Sequence, residues 1–412
     1  MKYQSNKADL TEQKHLPMNV AKRFKVSTSI LAIALVLSPC TFSQEHPKGP
    51  HPEGPPPPRP DTPETLAIKA RMGDTSTLMG DISVPAATED CDNSEHITTL
   101  LCLISLLKST LSEDNLSLIQ TEYSLEQAKN WSNLPAGAFP ERPGIFLGEL
   151  SIKQRGMVKA ILKEAASESR NEGFDEMVQT LNADDYIGTI STDYKAAYSS
   201  YNGKLAFLGE PSEDGLWELY YGGHHFAFSN TYNKGKLVGA TPSFRGIEPF
   251  PSFEMNGREN KPLLQERDAF SKLLTSLSEN QQEKAKLKGT YRDILAGPQA
   301  DDAIPEKQEG LAVSSLSEQQ VSLLKEAIYT YVGDIHETEA KRYMEKYASE
   351  FNNTVIGYSG TTSLNSEDDY VRVHGPSLWI EFSMQSNKST NQPGNHPHSV
   401  WRDRQTDYGG QK

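Results

Sequence analysis

His396-Pro397-His398 is the segment of this sequence whose residue types and spacing best suit metal chemistry. On an extended chain side chains repeat every two residues, so both imidazoles fall on one side, about 7 Å apart. Two histidines so placed can grip one metal ion. A second pair, His224-His225, follows Gly222-Gly223 in a run of strand-forming residues. Neighbours on a regular strand face opposite ways, so one of the two joins the first pair unless a bulge at the glycines re-aims them. Three imidazoles with an open position are a recurring catalytic metal arrangement. The candidate ligands are therefore His224, His225, His396 and His398. The ion would be a divalent metal, and imidazole does not choose among zinc, copper and iron. The plainer alternative makes the strand histidines buried hydrogen-bonding groups and His-Pro-His a surface loop.

Two carboxylates are candidates for a fourth ligand or a general base. Glu248 sits in Arg245-Gly246-Ile247-Glu248-Pro249, and Glu381 in Trp379-Ile380-Glu381-Phe382. An ionised carboxylate in so apolar a strand is costly to bury unless paired. Arg372 or Arg402 can pair with Glu381 structurally, or Glu381 can be a base of raised pKa. Arg402 itself can orient a substrate carboxylate or phosphate, or lock the C-terminal tail to the domain. The chain contains no Gly-x-Ser-x-Gly elbow, His-Glu-x-x-His helix, Walker loop or dinucleotide fingerprint. Those absences weigh against serine hydrolases, thermolysin-like enzymes, nucleotide hydrolases and dinucleotide-dependent enzymes.

The elements that must position these residues alternate in blocks. Leu100, Leu103, Ile104 and Leu107, then Val158, Ile161, Leu162 and Ala165, follow helical spacing. A Ser-x-x-Gln start occurs at Ser124, Ser151, Ser278 and Ser317, the pattern of a helix capping box. Strand signals dominate from Ala206 to Phe250, where Leu216 to Tyr221 runs on through Gly222-Gly223-His224-His225 to Phe228, and Asn233-Lys234-Gly235-Lys236 reads as a hairpin turn. Helices return at about 262–287 and 318–350. A second strand set follows at 354–358, 370–373 and 377–382. This order predicts an α+β fold in a single large domain over 95–412. Its antiparallel sheet is built from both strand sets, with helices packed on it. Positions near 225 and 398 then become neighbours.

The N-terminal part reads differently. Lys22, Arg23 and Lys25 precede an apolar run from Ile30 to Leu37, about half of the ~20 residues that span a bilayer. We read 1–43 as a signal peptide, cleaved after Ser43, with Met18 an alternative start. The protein is expected to be exported, periplasmic or extracellular, without a stable membrane span. Cys40 is a weak candidate for a lipid anchor because Pro39 fits a lipoprotein box poorly. Residues 44–94 are expected to be a proline-rich spacer and irregular lead-in. Cys91 and Cys102, eleven positions apart, suit a disulfide in an exported chain, ahead of the alternative that Cys102 is an apolar filler. A formal charge of −14, from 41 basic and 55 acidic residues, argues against a nucleic-acid partner. The mean hydropathy of −0.59 owes part of its deficit to the polar ends.

Four blocks carry a family resemblance: Gly222-Gly223-His224-His225, Ala240 to Pro249, Arg372 to Phe382, and His396 to Asp403. Through them the chain resembles an often exported family catalogued as domain of unknown function three-thousand-five-hundred, from about Ile97 to Gly410. The resemblance implies that the His-His, Glu-Pro and His-x-His blocks belong to one domain, and it implies no activity. His374 departs from the family pattern and is left out of the core site. The residues together suggest an exported metal-dependent enzyme acting on a small molecule or peptide, hydrolysis ahead of oxidation. The alternative is a non-catalytic ligand-binding or assembly module.

Overall fold

The computed structural model describes residues 62–386 and 395–411. The expected signal peptide, Cys40 and the proline run at Pro55 to Pro58 lie outside the described residues. Helices begin where serine caps stand. Ser151, Ser278 and Ser317 each accept from the amide three residues on, and the glutamine there reaches back to close the box. Ser124 makes only the first half, because Gln127 spends its side-chain oxygen on the Thr121 hydroxyl. Six main helices follow: α1 His96–Lys108, α2 Ile152–Ala165, α3 Gly173–Ile190, α4 Leu264–Ser276, α5 Glu318–Val332 and α6 Glu337–Ser349. No helix among the described residues is long and apolar enough to cross a membrane.

Eight principal strands form the sheet: β1 Lys204–Leu208, β2 Leu216–Gly222, β3 Phe226–Asn233, β4 Ser243–Gly246, β5 Val355–Ser359, β6 Tyr370–His374, β7 Leu378–Ser386 and β8 Asn395–Asp403. Across the sheet they run β1-β2-β3-β4-β8-β7-β6-β5, each neighbouring pair antiparallel. Short strands bring the sheet to 12, and Gln120–Thr121 adds in parallel at the β1 edge. The fold is α+β, as the block order predicts, and the sheet is mostly rather than wholly antiparallel. The two strand sets join at β4 and β8, where His398 lies opposite Gly246.

Directly opposed residues share a face, so the register sorts the sheet into two surfaces. Leu205, Phe207, Leu219, Val371, Phe382 and Trp401 point to the helices and form the main core with them. The other surface carries Ala206, Tyr220, Ala227, Phe244 and Val400, covered by Ala128, Trp131 and Tyr408 from non-sheet segments. Folded structure also starts earlier than expected. Within the predicted lead-in, the helix Pro63–Ala70 buries Ile68, and Leu78, Met79 and Ile82 are buried too. That stretch looked patternless because 3-10 turns bury isolated side chains without a helical or strand period. Cys91 and Cys102 form a disulfide, which staples the 3-10 turn Ala86–Cys91 to α1.

The helical side hides an unusual concentration of acid. Arg245 on β4 is buried and bonds Glu176 at 2.8 Å, Ser243 at 2.6 Å and Asp334. Glu172 and Glu266 stand near the same guanidinium, and Glu266 is fully buried with no donor beyond its own residue. Burial, then the neighbouring carboxylates Glu176, Glu172 and Asp334, holds the Glu266 carboxyl well above its ordinary range. Burial also pushes Glu218 on β2 and Asp185 on α3 up to about 7. Groups shifted this way favour folding while protonated. Their contribution is intact below the unfolded carboxylate range, near 4.3, and is lost as pH rises through the folded value. Urea unfolding should therefore give a stability at pH 8 lower than at pH 5.5 by roughly 2 kcal/mol for each such group. Glu266→Gln should flatten that slope, and an equal slope in the variant would count against the assignment.

Candidate metal centre

The first two ligand candidates sit in a turn, not in a strand as the sequence suggested. Gly222 pairs with Ala227 and the Gly223 amide donates to the Phe226 carbonyl at 2.8 Å, so His224 and His225 are the central residues of the β2–β3 hairpin. His225 takes a φ of +61°, a left-handed conformation uncommon outside glycine but visited by histidine. The turn, rather than strand alternation or a bulge, decides where the two rings go. They lie face to face, 3.6 Å between centroids and 29° apart. Nδ1 of His224 is engaged by the buried Asp184 carboxylate of α3. His225 is pinned through its backbone, its amide donating to Asn133 and its carbonyl accepting from Gly246 at 2.7 Å.

β8 supplies the other two histidines on the face that Gly246 occupies. A Cβ on Gly246 would stand 2.7 Å from Cδ2 of His225 and 2.9 Å from Cδ2 of His398. The bare glycine is what lets both rings close over β4. His225, His396 and His398 converge, with centroid separations of 4.7, 5.4 and 4.5 Å. One ligand nitrogen from each lies within 4.8 Å of the others, the only such set of three metal-binding side chains among the described residues. His225 and His398 are buried, and His396 is half-buried, so the centre meets solvent on the His396 side.

Protonation follows from the contacts. Burial lowers the His225 pKa well below its ordinary value, and the neighbouring His224, His396 and His398 lower it further. The ring is therefore neutral at physiological pH, as a ligand must be. Nε2 of His225 and Nε2 of His396 are 2.7 Å apart, so one of them offers a lone pair to the other. Nδ1 of His398 meets Oδ1 of Asp293 at 3.0 Å and the side-chain amide of Gln385 at 2.6 Å. The Gln385 atom facing Nδ1 is the donor Nε2, whereas the Asp293 oxygen only accepts; we assign the hydrogen to Nδ1 on the carboxylate contact, which requires the Gln385 amide to be turned so that its oxygen faces the ring. Nε2 of His398 is then a bare lone pair, and it is buried with no partner among the described residues.

The remaining sequence candidates lie elsewhere. His224 is outside the convergent set, drawn to Asp184. Glu248 is fully buried beyond the end of β4 and contributes no oxygen to the set. Glu381 is fully buried on β7 and accepts from Tyr370, Trp379 and the amides of Leu295 and Ala296, at 2.6–2.9 Å. It pairs with neither Arg372 nor Arg402 through a salt bridge among the described residues. Arg402, 1% exposed at its side chain, is held by Asp301 at 2.6 Å, Asp407 at 2.9 Å and the Ala296 carbonyl. That is the locked arrangement of the two weighed for it. His374 packs edge-on against Trp379, where burial brings its pKa down to about 4. Sequence reasoning missed Asp184, Asp293, Gln385 and the role of Gly246. Only the glycine, inside Arg245-Gly246-Ile247-Glu248-Pro249, carried any local signal.

The family model described as protein of unknown function (DUF3500) matches residues 93–410. The chain belongs to this family. No curated protein and no solved structure matches the chain. The DUF3500 span holds the whole principal sheet, the three convergent histidines and their partners Asp184, Asp293 and Gln385. The helix Pro63–Ala70 and Cys91 lie before it.

Gly246→Ala should displace the His225 and His398 rings while leaving the fold intact. We expect a loss of about 1–3 kcal/mol in unfolding free energy, and altered imidazole proton resonances for both rings. Unchanged resonances would show that the glycine is not what seats them.

Proposed function

We propose that this protein is an exported metal-dependent enzyme, with a divalent ion held by His225, His396 and His398 and hydrolysis as its reaction class. One observation carries the reading. Imidazoles from two stretches of chain about 170 residues apart converge, and the buried Nε2 of His398 has no hydrogen-bond partner among the described residues. The donor set fits such an ion: three imidazole nitrogens, a carboxylate orienting one of the rings, and no carboxylate inside the set. An ion held by three imidazoles with a coordinated water brings that water's pKa toward ~7 and supplies a nucleophile at neutral pH. The protein's own part is to keep His225 neutral, orient His398 through Asp293, and admit a small molecule or peptide past the half-buried His396. Hydrolysis leads because it needs only an ion and a water, whereas oxidation would need redox-active copper or iron. Export is supported by the basic-then-apolar N-terminal pattern and by the Cys91–Cys102 disulfide.

Elemental analysis of protein purified without a histidine tag should find about one zinc, copper or iron ion per chain. His398→Ala and His225→Ala should each lose it, and His224→Gln should retain it. A metal-free protein, with His398→Ala as stable as the parent, would replace the enzyme with a binding or assembly module. Copper or iron with a visible spectrum would move the reaction class to oxidation.

A further inference from the structure

We infer that the segment from Asp293 to Asp301 is the positioning element of the histidine centre, clamped over the sheet by Glu381 and Arg402. The inference rests on the metal-site reading above and assigns functions to side chains that make no contact within the histidine set.

Asp293 is the carboxylate that gives His398 its tautomer, yet its own side chain is 50% exposed. A half-exposed aspartate on a non-helical segment does not hold a ring orientation by itself, because solvent competes for it. Its backbone must be fixed from elsewhere. Two residues on, the amides of Leu295 and Ala296 donate to Oε1 and Oε2 of Glu381, at 2.7 and 2.9 Å. The Ala296 carbonyl accepts from Arg402 at 3.1 Å, and Arg402 also holds Asp301. Gln299 donates to the Trp131 carbonyl. The segment is thus tied to β7, to β8 and to the Trp131 loop.

The chemistry of the clamp explains why a charge is buried in an apolar strand. Oε1 of Glu381 takes the Leu295 amide and the Tyr370 hydroxyl, and Oε2 takes the Ala296 amide and the Trp379 indole. All four partners donate. A glutamine of the same shape would turn an NH2 toward two of them, so only a carboxylate satisfies the set. Register then links clamp and ligand: Glu381 lies opposite Val400, and His398 is the next residue along that face of β8. Glu381 and Arg402 are positioning residues, acting on the ion through Asp293 and His398 (second-layer partners of this kind change metal affinity 10–100-fold).

The test uses the full chain labelled with ¹⁵N-histidine, with His398→Gln assigning the His398 signals. Without added metal, the parent should show His398 protonated at Nδ1 and bare at Nε2. Asp293→Asn and Glu381→Gln should each populate the Nε2–H form, and Asp293→Glu should restore part of the parent pattern. With Co²⁺ titrated in, both variants should bind about 10–100-fold more weakly, with an altered visible spectrum. The double variant should be no weaker than the weaker single one, since both act through one contact. A parent ring protonated at Nε2, or a Glu381→Gln ring identical to the parent, would overturn the inference whether or not metal binds. Failure of the metal reading would show separately, as a parent protein with the expected tautomer that takes up no Co²⁺.

Discussion

The pairing of β4 with β8 is the constraint on which this molecule is built. Each strand set alone is an antiparallel stack with an open edge, and the two edges are distant in sequence. Four paired positions, from His398 opposite Gly246 to Trp401 opposite Ser243, turn them into one sheet. Because side chains alternate strictly, a one-residue slip there would send either His398 to the helical side or Arg245 to the histidine side. The surrounding chemistry forbids it. Arg245 is committed to Glu176 and Asp334 on one surface, and Gly246 is the only residue type that fits under two rings on the other.

Consecutive residues of β4 therefore serve opposite surfaces of the sheet. Behind it, Arg245 sits among Glu172, Glu176, Glu266 and Asp334, more acid than one guanidinium can balance, and part of it is held protonated by burial. In front, the imidazoles of His225, His396 and His398 stand without an acid between them. The separation matters for the ligand set. A carboxylate inside it would compete for the imidazole protons and favour charged rings, whereas Asp184 and Asp293 approach from outside, at Nδ1 of His224 and His398. Carboxylates placed there fix ring orientation and leave the inward nitrogens basic.

What the sequence disclosed was whatever local physics decides. The Ser-x-x-Gln caps, the hairpin at Asn233-Lys234-Gly235-Lys236 and the two-residue period of His396-Pro397-His398 all depend on neighbours within a few positions, and all are present. The block order was enough for an α+β fold with both strand sets in one sheet. Hidden were features fixed by contacts across the fold. Gly222-Gly223-His224-His225 lies within a run of strand-forming residues, and the β2–β3 register shows it to be a turn. Asp184 looks like an ordinary polar residue of α3, and Asp293 like loop filler, until tertiary structure sets each against a histidine. Glu381 was conspicuous in sequence as a misplaced charge, but its four donors come from three separate stretches of chain. A buried charge announces that partners exist without saying which.

The energetic argument for function comes from costs that folding alone does not explain. A left-handed His225 costs roughly 1–3 kcal/mol against a relaxed turn, and glycine or asparagine would carry that φ more cheaply. The Nε2 of His398, buried without a hydrogen-bond partner among the described residues, forfeits about 1–3 kcal/mol of hydration. Holding the His225 and His396 nitrogens 2.7 Å apart restricts two rings to a single shared proton. Elsewhere in the core some such costs are met by visible partners, as for Arg245 with its carboxylates and Glu381 with its four donors, and others, as at Glu266 and the Tyr220 hydroxyl, are not. At the histidine centre they fall on one small group of rings, with one ligand nitrogen from each of His225, His396 and His398 within 4.8 Å of the others. A cation accepted by all three would offset them together, which no protein group among the described residues can do.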